Sequence, residues 1–426
     1  MATIKTVAAR FVTMMLGLVC GLLTTSLVIT QTSVDNFALF SFLIVLPALV
    51  PFADLGTGAV LVNRIAASPN PIGDPEVRAT LLSVLRILIG SALTLEALNA
   101  GLFLSGTWDS ILGSAGHAPQ SANVAFLCAS IFAISVPFSV GSRALLGLGK
   151  SYWIVLLQGV QAPLTLGLVW LLLRADGETT RSYLAAASYL AAAVTASLIF
   201  CLAARYLRPS VAWAVRRLPR IRTMHGARVM HVGLPMLVQT VATPLATQLD
   251  RVILAQTVAS DQLASYSLGA QVFSAGYSLF AAAGLTLWPH FAKQRALGIT
   301  TQPFAIAALF GASAALLSLL ILFMGPTVFN ALSAGRVLVP ASVLIAFGVV
   351  LVVQATLYPL GMFLMDARGV QFQIIPVLLM VISNVALSIT LANLWGVIGP
   401  LVATAATVFV FQLVPFGIYA ALRSQR

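Results

Sequence analysis

The chain has 426 residues, 60% of them hydrophobic and only 8% charged, with a mean hydropathy of +1.01 and a net charge of +12. So little charge cannot cover the surface of a soluble domain, which excludes a soluble enzyme and points to a polytopic membrane protein. The three cysteines, Cys20, Cys128 and Cys201, all fall in apolar stretches, so neither a disulfide framework nor metal-ligand spacing is present in the sequence.

About 20 apolar residues are needed to cross the hydrocarbon of a bilayer. On that rule spans fall near 11–31, 37–66, 79–106, 121–148, 152–173, 183–205, 228–257, 263–290, 303–325, 338–365, 370–393 and 397–422. The first is too long for a signal-peptide core and reads as a retained helix. Several of the others carry proline or glycine, so kinked or tilted helices are expected. Between spans 6 and 7, residues 205–228 hold seven arginines and no acid. A run this basic belongs at the cytoplasmic face, where Pro209, Pro219, Trp213 and the apolar Val211, Val215 and Leu218 predict a short interfacial helix against anionic headgroups. Nucleic-acid binding is rejected, because these arginines are confined to a loop between spans.

With the N-terminus inside, 18 of the 23 basic residues fall on the cytoplasmic side, among them Arg64, Arg78, Arg143 and Lys150. Only Arg174, Arg181 and Arg336 fall outside, and Arg86 and Arg251 lie within spans. That asymmetry predicts cytoplasmic N- and C-termini.

The halves repeat. Asp35-Asn36-Phe37-Ala38-Leu39-Phe40-Ser41-Phe42 opens span 2, and Asp261-Gln262-Leu263-Ala264-Ser265-Tyr266-Ser267-Leu268 opens span 8. The same offset of 226 brings Gly58 onto Gly284 and Arg64 onto His290. An even number of spans per unit makes the repeats parallel. The expected fold is therefore an all-α polytopic membrane protein, about 12 transmembrane helices in two parallel six-helix repeats around a central cavity. Its parts are an N-terminal lobe over 1–206, a cytoplasmic basic linker over 207–227 and a C-terminal lobe over 228–426.

Ionisable groups inside spans are costly and mark candidate sites. Asp54 lies in Pro51-Phe52-Ala53-Asp54-Leu55-Gly56, where prolines and glycine can break span 2 and free carbonyls beside the carboxylate. Arg86 sits about 10 Å along span 3 from its inner end, within snorkelling reach, and Glu96 lies deeper. Asp250 and Arg251, near the outer end of span 7, point about 100° apart, so each needs a partner on another helix or a wet cavity. Arg64 and His290 stand near the cytoplasmic mouth. Plainer readings stand beside these: a carboxylate bonded to the broken backbone for Asp54, anchors for Arg86, Arg64 and His290, and a structural ion pair for Asp250 and Arg251. Gly149-Lys150-Ser151 ends like a phosphate-binding loop, but Ala144 stands where that motif needs glycine. Gly17-x-x-x-Gly21 reads as a helix-contact motif. Trp153, Trp288, Trp395 and Tyr183 read as interfacial anchors.

Several motifs resemble a known family. Asp54-Leu55-Gly56 is one; Gln248-Leu249-Asp250-Arg251-Val252-Ile253-Leu254-Ala255, followed by Ser260-Asp261-Gln262-Leu263-Ala264-Ser265-Tyr266, is another. The third is Asn384 followed by Trp395-Gly396-Val397-Ile398-Gly399-Pro400-Leu401-Val402-Ala403-Thr404. Together they resemble the polysaccharide transporter family (O-antigen and capsule flippases) of the multidrug/oligosaccharidyl-lipid/polysaccharide exporter superfamily.

The resemblance implies a flippase of the bacterial inner membrane that moves an undecaprenyl-diphosphate-linked oligosaccharide to the outer leaflet without ATP or any cofactor. It implies a substrate-binding set of Arg86, Arg251, Arg64 and His290. Proton or sodium coupling could run through Asp54, Glu96 or Asp250. Partners would be the lipid-linked oligosaccharide, membrane lipids, and polymerase and chain-length proteins, with no nucleic acid. Lipid II flippases carry two helices more than the twelve counted here. The drug-extruding branch often has a carboxylate in its first helix, where 11–30 has none. The alternatives are a cation-coupled exporter of small amphipathic compounds, a membrane enzyme of polysaccharide assembly, for which the outer loops are short, and a non-transporting scaffold.

Overall fold

The computed structural model describes residues 2–50, 57–175, 177–219, 249–296, 302–365 and 367–424. Asp54 and most of the predicted seventh span lie outside the described residues. Among the described residues all regular structure is helical. Eight helices are long and apolar enough to cross a membrane: Pro75–Leu104, Ser121–Gly147, Ser151–Arg174, Leu184–Tyr206, Phe304–Ser333, Ala341–Phe363, Gln371–Trp395 and Ile398–Arg423. They coincide with predicted spans 3 to 6 and 9 to 12. Span 1 lies in helix Ala2–Gln31 and span 8 in helix Ser260–Ala296. The protein is thus an all-α, multi-pass membrane protein. Its outward side chains fit that solvent, with Leu104 85% and Phe323 81% exposed to what would be lipid rather than water.

Proline decides where the spans break. Span 2 runs as Val34–Leu43, Leu46–Leu49 and Thr57–Ala67. Pro47 has no N–H to give to the carbonyl of Leu43 four residues earlier. The Tyr189 hydroxyl of span 6 donates to that carbonyl instead, at 2.5 Å, so the Leu43 oxygen is not left bare. Pro137 shifts span 4 into a 3₁₀ turn over Val136–Ser139. Pro415 follows a π-helical stretch, Phe409–Leu413, in span 12. Hydroxyls in the spans follow the same economy. Thr24, Thr32, Thr195 and Thr356 each donate to the carbonyl four residues back.

The chain divides into two compact units, Met1–Thr32 with Leu39–Val241, and Ser33–Ala38 with Ala242–Arg426. Two features set these limits apart from the predicted lobes. The start of span 2 goes with the second unit, where the Ser260 hydroxyl donates to the Asp35 carboxylate at 2.5 Å. The basic seam packs onto the first.

The seam forms the helix Ser210–Arg217, bounded by Pro209 and Pro219. Leu207, Val211 and Ala214 are buried in one cluster with Leu81 and Leu85 of span 3. Arg205, Arg208 and Arg216 stay exposed, so one face meets the bundle and the other is cationic. Polar contacts hold both ends. Ser210 donates to the carbonyl of Ile72 at 2.6 Å and accepts from Arg78 Nε at 3.2 Å.

Glycines admit close approach to the main chain of a neighbour at Gly141 and Gly399, among other close contacts. A Cβ on Gly141 of span 4 would stand 2.5 Å from the Cα of Phe200 in span 6, and one on Gly399 would stand 2.2 Å from the Leu391 carbonyl oxygen. Gly17, in contrast, has nothing within 4 Å of its would-be Cβ. Gly17 itself thus makes no close contact among the described residues. Span 1 instead meets span 5 through Thr13, whose Cγ2 lies 2.4 Å from a Cβ placed on Gly159.

Candidate functional site

The most enclosed polar constellation surrounds Asp250. Its carboxylate is 4% exposed and sits in a helical stretch over 249–257. Three hydroxyls face it from three other spans: Ser388 at 3.3 Å, Tyr266 at 3.4 Å and Thr404 at 3.5 Å. Asn384 donates its amide to Thr404 at 2.9 Å and Thr407 at 3.4 Å. Helical periodicity explains the grouping. Asn384 and Ser388 are four apart on span 11, and Thr404 and Thr407 three apart on span 12, so each pair shares a face. A cavity of about 210 Å³ adjoins the cluster through Asn384 and Thr404, and is also lined by Gln354, Tyr358, Gln373 and Gln412. A carboxylate with hydroxyl and amide oxygens is a set of hard donors, fit for a proton or a small cation. Among the described residues no group of three His, Cys, Asp or Glu could hold a metal ion.

Glu96 heads a second, separate network in the first unit. Ser130 donates to its Oε1 at 2.9 Å. Asn99 donates to Ser130 Oγ at 3.0 Å and to the Phe126 carbonyl at 3.1 Å, and accepts from the Trp108 indole at 3.1 Å. Glu96 Oε2 is buried with no hydrogen-bond partner among the described residues.

Each described member of the predicted cationic set is placed within its own unit. Arg86 donates to the carbonyls of Arg217 at 3.0 Å and Leu218 at 3.3 Å. It thereby caps the C-terminal end of the seam helix, where a cation complements the helix dipole. Arg64 forms an ion pair with Glu76 at the beginning of span 3. Arg251 follows Asp250 with its side chain half-buried. The side chain of His290 lies outside the described part of the structure, as does the whole of Asp54.

The repeat has a counterpart in each unit. Helices begin at Val34 and at Ser260, 226 residues apart. Gly58 and Gly284, at the same offset, each receive a long polar side chain from another span of their own unit. A Cβ on Gly58 would lie 2.6 Å from Arg143 Nε, and one on Gly284 would lie 2.4 Å from Tyr358 Cδ1. Tyr358 lines the 210 Å³ cavity of the second unit. Arg143 lines two cavities of the first. One, of about 460 Å³, is bounded by spans 2, 4, 5 and 6 and includes Ser135, Ser139, Gln161 and Tyr189. The other, of about 600 Å³, is bounded by spans 1, 4 and 5 and includes Thr13, Ser142, Ser151 and Gln158. Charge counting places Arg143 on the cytoplasmic side. Ser388 and Tyr266 were missed as partners of Asp250; the signal for Ser388 was its spacing of four from Asn384 in an otherwise apolar span.

No protein-family model matches the sequence, and no curated protein is significantly similar to it. Solved structures do match, over nearly the whole chain. An inward closed form of the lipid II flippase MurJ superposes with a TM-score of 0.71 at 14% identity, covering 99% of this chain and 91% of that one. An inward-facing multidrug resistance MATE family transporter of the MOP superfamily gives 0.67 at 15% identity, covering 98% of each chain. A MOP superfamily transporter from Pyrococcus furiosus gives 0.61 at 14% identity, covering 99% of this chain and 95% of that one. These three structures are named as a flippase and two transporters, and the chain shares their fold.

Proposed function

We propose that the protein is a flippase of the bacterial inner membrane, both termini cytoplasmic, that moves an undecaprenyl-diphosphate-linked oligosaccharide to the outer leaflet for surface polysaccharide assembly. The observation that supports this reading is the likeness, over 99% of this chain, to a structure named as a lipid II flippase. The polysaccharide-transporter motifs in the sequence support it. A polymerase and chain-length proteins would act on the delivered cargo.

Asp250 is the proposed coupling group of the second unit. Its three hydroxyl contacts, at 3.3 to 3.5 Å, are longer than the 2.7–2.8 Å usual for O–H···O bonds. That spacing leaves the carboxylate enclosed but loosely held, as an exchangeable proton or cation requires. Glu96, with one bonded and one unbonded oxygen, is the proposed counterpart in the first unit. Arg251 and, at the inner ends of spans, Arg64 and His290 are the proposed contacts for anionic cargo; the observed bonds of Arg86 favour a supporting role for it. The second reading, a cation-coupled exporter of small amphipathic compounds, is favoured by the near-equal likeness to a multidrug transporter.

Mass spectrometry of polyprenyl-linked glycans from a deletion strain separates the two. Build-up of one undecaprenyl-diphosphate oligosaccharide, cleared when the gene is restored, supports the flippase. No build-up in a strain that makes such lipids, together with drug hypersensitivity, supports the exporter.

A further inference from the structure

We propose that the exposed side of span 6 in the first unit binds one anionic phospholipid of the surrounding membrane, its acyl chain along the helix and its phosphate held by Lys150, Arg205 and Arg208. Leu190, Val194 and Leu198 are 46%, 39% and 47% exposed, and exposed Cys201 and Arg205 continue the series. Steps of four, four, three and four keep these side chains on one face of the helix Leu184–Tyr206. From Leu190 to Cys201 the rise is about 16 Å, close to half of the roughly 30 Å hydrocarbon core. The apolar stripe thus matches the chain depth of one leaflet, and Arg205 closes it where a headgroup lies.

Two more cations stand at that end, and only the fold brings the first of them there. Lys150, from the turn between spans 4 and 5, places its Nζ 4.2 Å from the ring centroid of Tyr206, the residue after Arg205. An ammonium on a ring face keeps N–H donors on its far side for an oxyanion. Arg208, exposed like Arg205, stands at the turn into the seam helix, which Ser210 ties to the carbonyl of Ile72. The seam helix carries a second such pair, with the Arg217 guanidinium 4.2 Å over the Trp213 ring. Rings and cations together mark the headgroup boundary, and clustered basic side chains there select anionic lipid. The apolar stripe beside them favours a lipid over a soluble acidic partner. This site is separate from the cargo reading above and does not depend on it.

The test uses the full-length protein in nanodiscs with bimane on Cys201; Cys20 and Cys128 are buried and stay unlabelled. Bimane quenching is followed as brominated phosphatidylglycerol or brominated phosphatidylcholine replaces the unbrominated neutral lipid. Phosphatidylglycerol should half-quench at a mole fraction about tenfold lower or less. Lys150→Gln or Arg205→Gln should each remove about fivefold of that preference, and the triple variant with Arg208→Gln should abolish it. The single variants carry the test if the triple variant is not monodisperse. Arg174→Gln, which removes a guanidinium stacked on Trp170, should leave the preference unchanged. A second reporter, Leu422→Cys in a Cys201→Ala background, lies at an exposed position beside Arg423 and should show a smaller preference. Equal preference at the two reporters means a diffuse attraction and overturns the site. So does a preference that survives loss of the cations, or none in the wild type.

Discussion

In the first unit the notch at Gly58 holds Arg143, and the described residues that line the cavities beside it include hydroxyls and amides; in the second, Gly284 holds Tyr358, and the cavity beside it adjoins the buried Asp250. The backbone features agree across the repeat: helix starts 226 residues apart and glycines at the same offset. The charged groups do not agree. Asp250 is met by three hydroxyls, whereas Glu96 has a single donor and one oxygen unpartnered among the described residues. The contrast teaches that packing constraints outlast duplication, because a Cβ at a notch must displace a neighbour in either unit. A titratable side chain is free to diverge wherever its own unit can satisfy it.

Variants can break or sharpen this contrast. The largest stability loss should come from the glycines at backbone contacts. Gly399→Ala and Gly141→Ala each place a methyl group within 2.5 Å of main-chain atoms, and should cost about 3 kcal/mol each, the upper range for overpacking. Thermal unfolding in detergent, followed by tryptophan fluorescence, would check this. Equal melting temperatures would mean that the helices can separate freely.

Next come the carboxylates. Asp250→Asn should abolish export at normal protein level, read as glycolipid build-up in the complemented deletion strain. Its stability loss should be about 1–2 kcal/mol, since buried side-chain hydrogen bonds in membranes average about 0.6 and reach about 1.7 kcal/mol. Glu96→Gln disturbs a single hydrogen bond and should shift the melting temperature less. Export unaffected by Asp250→Asn would remove Asp250 as the coupling group.

Tyr189→Phe leaves the Leu43 carbonyl without the donor that replaces the missing N–H of Pro47, and should cost about 1 kcal/mol. The loss should be local, seen as faster hydrogen exchange at the break in span 2. Arg86→Ala should loosen only the seam helix, by about 1 kcal/mol, visible as faster proteolysis at its arginines with little change in global melting. Gly17→Ala, with open space at its Cβ, should stay within about 0.5 kcal/mol of wild type.

The spans were legible because the hydrocarbon thickness and the periodicity of a helix are local constraints. Ten predicted spans coincide with described helices, and Pro209 and Pro219 bracket the seam helix as their chemistry dictates. Asp250 was legible as a buried charge. Its partners were not, since Tyr266, Ser388 and Thr404 come from three other spans, two of them more than 130 residues away. Arg86 shows the opposite failure. A charge inside a span predicts a partner, but only the fold shows that the partner is the end of the seam helix, 131 residues on. Charge counting puts Arg143 on the cytoplasmic side and cannot see the cavities it lines.

What the sequence determined by itself was therefore what the bilayer and neighbours along one helix govern: apolar spans, ten of which fall in described helices, their proline breaks and the basic seam. What only the tertiary structure decided was which polar groups meet. Hydrogen bonds between spans depend on how helices rotate against one another, and that rotation is set by the packing of the whole bundle, with no mark in the local order of residues.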